Sequence, residues 1–171
     1  TALLSDSLGS DLSKLANELD KLIILINQKN ISVKEIEQHI GISKDYNIFE
    51  LQNALGNIQF LKENKIINYF AKNTKNHNII PIISSLFSFF QKVIIYQQIK
   101  KKSVYDIAKD LKINKFFIKQ YQIAASQYNN KQLLNIFKYL KEYDLKSKGV
   151  NNKNTSSSDL LKELTLKILN T

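Results

Sequence analysis

Ile79-Ile80-Pro81-Ile82-Ile83-Ser84-Ser85-Leu86-Phe87-Ser88-Phe89-Phe90-Gln91-Lys92-Val93-Ile94-Ile95-Tyr96-Gln97-Gln98-Ile99-Lys100-Lys101 is the stretch on which the fold turns. Its residues Ile83, Leu86, Phe87, Phe90, Ile94 and Ile95 recur at three- and four-residue spacing, which puts them on one side of an α-helix. Pro81 falls in the first turn, where its missing N–H has no helical partner to lose. A helix this apolar, running to about Lys101, is expected at the centre of a core. The run Ile79–Ile83 is too short to span a membrane, and Ser, Gln and Lys interrupt the apolar residues beyond it.

Reading outward toward the C-terminus, Ser103 caps a short helix over Val104–Leu111. A turn at Lys112-Ile113-Asn114 leads into a second helix from Lys115 to about Tyr128. Asn130 opens a longer one carrying Leu133, Leu134, Phe137, Leu140 and Tyr143. Ser147–Ser158 is rich in Asn, Ser and Lys without apolar periodicity, which predicts a mobile loop. Asp159–Leu169 reads as a closing amphipathic helix. Toward the N-terminus, Asn73–Asn78 is a polar loop. Phe49, Leu51 and Leu55, then Phe60, Ile66, Ile67 and Phe70, predict two helices broken around Gly56-Asn57. Ser32 and Glu35 have the spacing of a capping box for a short helix that Gly41 ends. Asp11 caps a helix from Leu12 to about Gln28 with a stripe of Leu12, Leu15, Leu19, Leu22, Ile23 and Ile26. With four Gly and one Pro in 171 residues, there is little material for the tight turns of a sheet protein. The expected fold class is all-α. The chain opens on Thr1 within what reads as a helix end, so a preceding region is expected.

Several function classes fall away at this level. No Cys is present, which removes thiolate metal sites, Cys nucleophiles and disulfides and fits a reducing compartment. His39 and His77 have no neighbours at ligand spacing and are expected to be solvated. No Gly-rich phosphate loop occurs. No cofactor, metal or catalytic residue is therefore expected. The net charge is +10, carried entirely by Lys. That favours an acidic or nucleic-acid partner, although Arg, the usual bidentate reader of guanine and phosphate, is missing. Lys100-Lys101-Lys102 suits the negative end of a helix dipole. Ser103–Ser126 has the outline of a helix-turn-helix, which makes a DNA-binding protein the alternative reading. The first turn of its second helix, Lys115-Phe116-Phe117-Ile118, offers packing surface rather than polar groups for base edges. The aromatics Phe87, Phe89, Phe90, Tyr96 and Tyr105 are expected in a core or a subunit interface.

Three stretches together carry a family resemblance. They are Leu8-Gly9-Ser10-Asp11-Leu12-Ser13-Lys14-Leu15-Ala16-Asn17-Glu18-Leu19-Asp20-Lys21-Leu22, then Ile40-Gly41-Ile42-Ser43-Lys44-Asp45-Tyr46-Asn47-Ile48-Phe49-Glu50-Leu51-Gln52-Asn53-Ala54-Leu55, and Tyr139-Leu140-Lys141-Glu142-Tyr143-Asp144-Leu145-Lys146-Ser147-Lys148-Gly149. In order and separation they resemble the delta subunit of the DNA polymerase III clamp loader, particularly its Bacteroidetes-type members. The resemblance implies that residues 1–41 form the end of an AAA+-like lid domain and residues 42–171 a helical collar. It implies a non-catalytic role in DNA replication, with the delta-prime and gamma/tau subunits as partners. Contact with the sliding clamp would run through an N-terminal domain, and DNA would be met indirectly or weakly. The setting would be the bacterial cytoplasm, without a membrane. Candidate interface or family-motif residues are Asn17, Glu18, Lys21, Phe49, Asn53, Asp144 and Lys148. Lys14 stands where catalytic AAA+ relatives place a nucleotide-sensing Arg, which agrees with a subunit that is not an ATPase.

Overall fold

The computed structural model describes Asn17, Asp20 and residues 46–74, 77–152 and 154–171. The chain divides into two compact units, Thr1–Asn47 and Ile48–Thr171. In the first, Asn17 and Asp20 are helical and exposed. The stripe from Leu12, the Ser32–Glu35 box and His39 otherwise lie outside the described residues.

The second unit is all-helical over its described residues: α1 (Ile48–Gly56), α2 (Phe60–Lys72), α3 (Ile79–Ile99), α4 (Val104–Leu111), a single 3-10 turn (Lys115–Phe117), α5 (Ile118–Gln127), α6 (Asn130–Ser147) and α7 (Ser157–Leu169). Asn and Ser side chains supply most of the helix starts. Asn78 Oδ1 accepts from Ile80 N (3.0 Å), Ser103 Oγ from Asp106 N (3.2 Å) and Ser156 Oγ from Asp159 N (3.1 Å). Asn129 and Gln132 form a reciprocal box, with bonds of 3.0 and 2.8 Å. Each cap satisfies backbone donors that the helix cannot satisfy itself.

The helix ends share a second device. After α1, α4 and α6 the chain closes with paired backbone bonds: Gln59 N to Ala54 O with Ile58 N to Leu55 O, Ile113 N to Ala108 O with Lys112 N to Lys109 O, and Val150 N to Leu145 O with Gly149 N to Lys146 O. This is the Schellman arrangement, which needs one left-handed residue. Ile58 (φ 54°), Lys112 (φ 52°) and Gly149 (φ 90°) supply it. Only the third is the residue type that takes this conformation freely. The break around Gly56-Asn57 is real, but Gly56 serves another purpose. It is helical and buried, and a Cβ there would lie 3.0 Å from Phe89 Cζ and 3.2 Å from Ala124 Cβ. Close approach of α1 to α3 and α5 depends on the missing side chain.

α3 is the spine, packed against α1, α4, α5 and α6 and more lightly against α7. It is long and apolar enough to cross a membrane, yet one side of it is the core of this bundle. Ile82, Ile83, Leu86, Phe89, Phe90, Val93 and Tyr96 are buried. That face is rotated from the expected one. Phe87 is 46% exposed, while Phe89 and Val93 lie inside and Ile94 and Ile95 are half-buried. Partners on several sides of α3 bury more than a single stripe, so periodicity alone could not select the face. Gln97 Nε2 donates to Ala125 O (3.2 Å) and Tyr128 O (2.7 Å), which fixes the end of α5 against the end of α3. α6 starts there and runs back along the spine, so that Phe137 meets Phe87 edge to face at 5.2 Å. Tyr128 donates its hydroxyl to Leu55 O at 2.7 Å, joining α5 to the end of α1. α7 lies on α6 and α2. Gln132 Nε2 donates to Thr171 O (2.9 Å), which ties the C-terminus to the start of α6. Between α6 and α7, the expected loop holds several local hydrogen bonds over its described residues, including Thr155 N to Asn152 Oδ1 at 2.9 Å.

Candidate interaction surfaces

Among the described residues no group of three or more His, Asp or Glu is placed to hold a metal ion. Glu63 on α2 is buried to 7% exposure. Burial pushes its carboxyl above the ordinary value, and the neighbouring Thr165 hydroxyl of α7 partly opposes that. Lys146 pairs with Glu142 at 2.7 Å, and Lys167 of α7 approaches the same carboxylate at 3.7 Å. The two ammonium groups lie 4.6 and 5.1 Å from the Tyr143 ring centre. Tyr143 donates its hydroxyl to Glu163 (3.0 Å). Its pKa is pushed up to about 12, first by burial and then by that carboxylate. This cluster fastens α7 onto α6.

His77 departs from the solvated position expected of it. Its ring stacks on Phe70 with centroids 4.1 Å apart and planes 13° apart, and burial lowers its pKa. It lines a small cavity of about 110 Å³ with Phe70, Asn78, Ser157 and Leu161, where the starts of α3 and α7 converge.

The candidate residues within the second unit fall into two pairs on different helices. Phe49 and Asn53 are four apart and share one face of α1. Phe49 edges an open groove of about 370 Å³ whose floor is Pro81, Ser84, Ser85 and Ser88 of α3, with Lys92 and Tyr121 on its margin. Gln52 fixes that floor, its Nε2 donating to Ser85 Oγ at 2.9 Å. The Asn53 carbonyl accepts from Asn57 Nδ2 at 2.7 Å, holding the end of α1. Asp144 and Lys148 pair with each other at 2.7 Å at the end of α6. Asn17 is exposed on its helix, and Glu18 and Lys21 lie outside the described residues.

A further surface does not stand out in the sequence. Tyr105 is 74% exposed and Phe116 75% exposed, on α4 and the adjoining 3-10 turn. Neither lies in the core of this unit, so of the core or subunit interface expected for Tyr105 only the second remains. The buried stripe of α4 is Ile107 and Leu111, four apart, and Tyr105 lies off it. The residues directly after Asn114 form the 3-10 turn rather than α-helix, with the Asn114 carboxamide oxygen capping Phe116 N at 3.0 Å. That turn lifts Phe116 clear of the bundle. For Tyr105 a local signal exists: a stripe drawn through Ile107 and Leu111 excludes it.

The described residues of this unit thus define a helical-bundle domain with open, aromatic-bearing surfaces. The chain belongs to the family described as DNA polymerase III delta subunit, C-terminal domain, whose match runs over residues 45–164. The fold is also that of the Bacillus subtilis DNA clamp loader delta protein. The two structures superpose with a TM-score of 0.68 at 22% sequence identity, over 98% of this chain and 49% of the other. The chain therefore spans about half the length of that solved relative. A search of curated protein sequences gives no match.

Proposed function

We propose that this chain works in DNA polymerase III clamp loading as delta-subunit sequence, and that its role is assembly rather than catalysis. The observation that carries this reading is the family match over residues 45–164, joined to a fold shared with a clamp-loader delta protein. On this reading residues 1–41 are the end of an AAA+-like lid and residues 42–171 the collar. The partners are the delta-prime and gamma/tau subunits, in the bacterial cytoplasm. Opening of the sliding clamp is the work of an N-terminal domain that precedes the lid.

The chemistry of the surface supports association. Interface centres are typically rich in aromatic residues and poor in charge. The groove beside Phe49 has Ser84, Ser85 and Ser88 as its floor, small side chains that let another helix approach closely. Phe87 and Leu134 add exposed apolar area on α3 and α6. Phe49, Asn53, Asp144 and Lys148, with Asn17, Glu18 and Lys21, are the proposed contact or family-motif residues.

The test is co-purification. The tagged chain, mixed with delta-prime and gamma/tau from the same cell type, should elute with them as one complex, and Phe49→Glu should reduce recovery of the partners at unchanged helicity. Separate elution of the unaltered chain at micromolar concentration would remove the proposal.

A further inference from the structure

α6 packs against α3 and α7, and its solvent side narrows to a single line. From Lys131 to the cap at Lys148, the exposed residues are Lys131, Leu134, Lys138, Lys141, Leu145 and Lys148. Lysine and leucine alone occupy the line. Their spacing is three, four, three, four and three, the alternation that keeps a seam straight along a helix that faces another helix. All six fall within an arc of about 100°. Leu134 is 58% exposed and Leu145 41%, and eleven residues of helix put them about 16 Å apart on the same side.

The carboxylates beside this line are engaged. Asp144 pairs with Lys148 and Glu142 with Lys146, both at 2.7 Å. Among the described residues, Lys131, Lys138 and Lys141 have no carboxylate within ion-pair distance. Apolar surface continues on the α3 side, where Phe137 meets the half-exposed Phe87 edge to face at 5.2 Å.

Leucines three turns apart suit the anchors of a second helix rather than an extended strand, whose side chains repeat every two residues. Charge selects which helix. A second copy of α6 would set its lysines against their own kind, which disfavours self-pairing. A helix with leucine or isoleucine facing Leu134 and Leu145, and glutamate or aspartate facing the three unpaired lysines, satisfies the whole line. Nucleic acid fits less well, because the line holds no aromatic ring for base stacking and no polar reader of base edges. An anionic bilayer asks for a broad apolar face beneath the lysines, whereas here the two residue types are interleaved.

We propose that the exposed line of α6 docks an acidic amphipathic helix of a partner protein, with Leu134 and Leu145 as its apolar seat and Lys131, Lys138 and Lys141 as its charge partners. This surface shares no residue with the groove beside Phe49. The inference rests on spacing and charge, so it stands or falls separately from the proposed assembly role.

Fluorescence anisotropy of the full chain with a labelled synthetic helix tests it. The probe has three heptads with leucine at positions a and d and glutamate at e and g, whose like charges oppose its pairing with itself. It should bind saturably, and more weakly as salt rises. A scrambled peptide of the same composition should bind at least about tenfold more weakly, and Leu134→Ala with Leu145→Ala should weaken the probe by about tenfold. Lys138→Glu with Lys141→Glu should abolish binding of this probe and create binding of one with lysine in place of glutamate. All the substituted side chains are exposed, so circular dichroism should show every variant folded. Equal binding of the scrambled peptide would reduce the effect to general charge attraction and overturn the proposal, as would leucine variants that bind like the parent. Tighter binding of oligo(dT) or of phosphatidylserine vesicles, lost in the same leucine variants, would assign the line to nucleic acid or a membrane instead. A dimer in sedimentation that those variants dissolve would assign it to a second copy.

Discussion

Phe90 and Phe116 are the same residue type with opposite fates, and the elements that carry them show why. On α3 the chain is enclosed by other helices. Phe90 meets Phe89 at 5.1 Å and Tyr128 at 5.6 Å, both edge to face. On the 3-10 turn before α5, Phe116 touches Phe117 at 5.8 Å and otherwise faces solvent. The spine holds Phe89, Phe90 and Tyr96 on its buried face, and of its aromatics Phe87 alone is half-exposed. The lobe formed by α4 and the 3-10 turn displays Tyr105 and Phe116 among lysines. An aromatic residue in this domain therefore reports on the layer it occupies, and its role follows from that layer.

The largest effect expected is the one that separates these layers most directly. Phe90→Ala should cost about 3–5 kcal/mol, since it removes a fully buried ring and leaves a cavity beside α3. Phe116→Ala should change stability by no more than about 0.5 kcal/mol. Urea unfolding of both variants checks this. A Phe116→Ala cost comparable to that of Phe90→Ala would erase the distinction and place the lobe inside the cooperative core.

A second measurement asks how tightly the lobe is built. Lys112 is left-handed at the end of α4, where a residue with a Cβ is strained. Lys112→Gly should stabilise the chain by roughly 1 kcal/mol if the lobe unfolds together with the spine. Gly149→Ala at the end of α6 should do the reverse by a similar amount. If Lys112→Gly leaves the midpoint unmoved while Gly149→Ala lowers it, the lobe opens independently of the bundle.

Much of this architecture is legible in the sequence, and the exceptions have physical causes. The all-α class, the break after α1, the Pro81 start of α3 and the Ser103 cap all follow from local chemistry. The buried face of α3 does not, because its partner helices, not the helix itself, decide which residues lie inside. Residue type alone points Tyr105 and Phe116 toward packing. The 3-10 turn that exposes Phe116 is a tertiary outcome without a strong local signature. His77 reads as solvated for a similar reason, since its stacking partner Phe70 belongs to the preceding helix. Of the candidate residues, the Asp144–Lys148 pair is readable from its four-residue spacing. The groove beside Phe49 is not, because its floor comes from α3, about thirty residues further along the chain.

Titration offers a subtler test of the closed layer. The raised pKa of Glu63, caused first by burial, means the folded state holds this proton more tightly than the unfolded chain does. The support it gives is complete below the ordinary value of 4.5 and is lost as pH rises through the higher folded value. Thermal midpoints of the parent should therefore fall relative to those of Glu63→Gln as pH is raised from about 4 to 7. Parallel curves would mean that the contact between α2 and α7 is wet, and that the closed layer ends short of Glu63.

The smallest effect concerns the surface ion pair at the end of α6. Asp144 and Lys148 bond at 2.7 Å, but both side chains keep a third or more of their surface in solvent, at 35% and 52%. An exposed pair at this spacing contributes only a few tenths of a kcal/mol. Lys148 has also left the regular helix, its N–H bonding to Leu145 O while the Gly149 N–H takes Lys146 O. Those backbone bonds survive side-chain truncation. Lys148→Ala should thus lower stability by about 0.3 kcal/mol, an effect that fades at high salt. A loss above about 1 kcal/mol in the isolated chain would show that this end of α6 behaves like the enclosed spine. If the isolated chain barely responds while recovery of the proposed partners drops, the pair acts across an interface, and the boundary between packing layer and contact layer runs through α6.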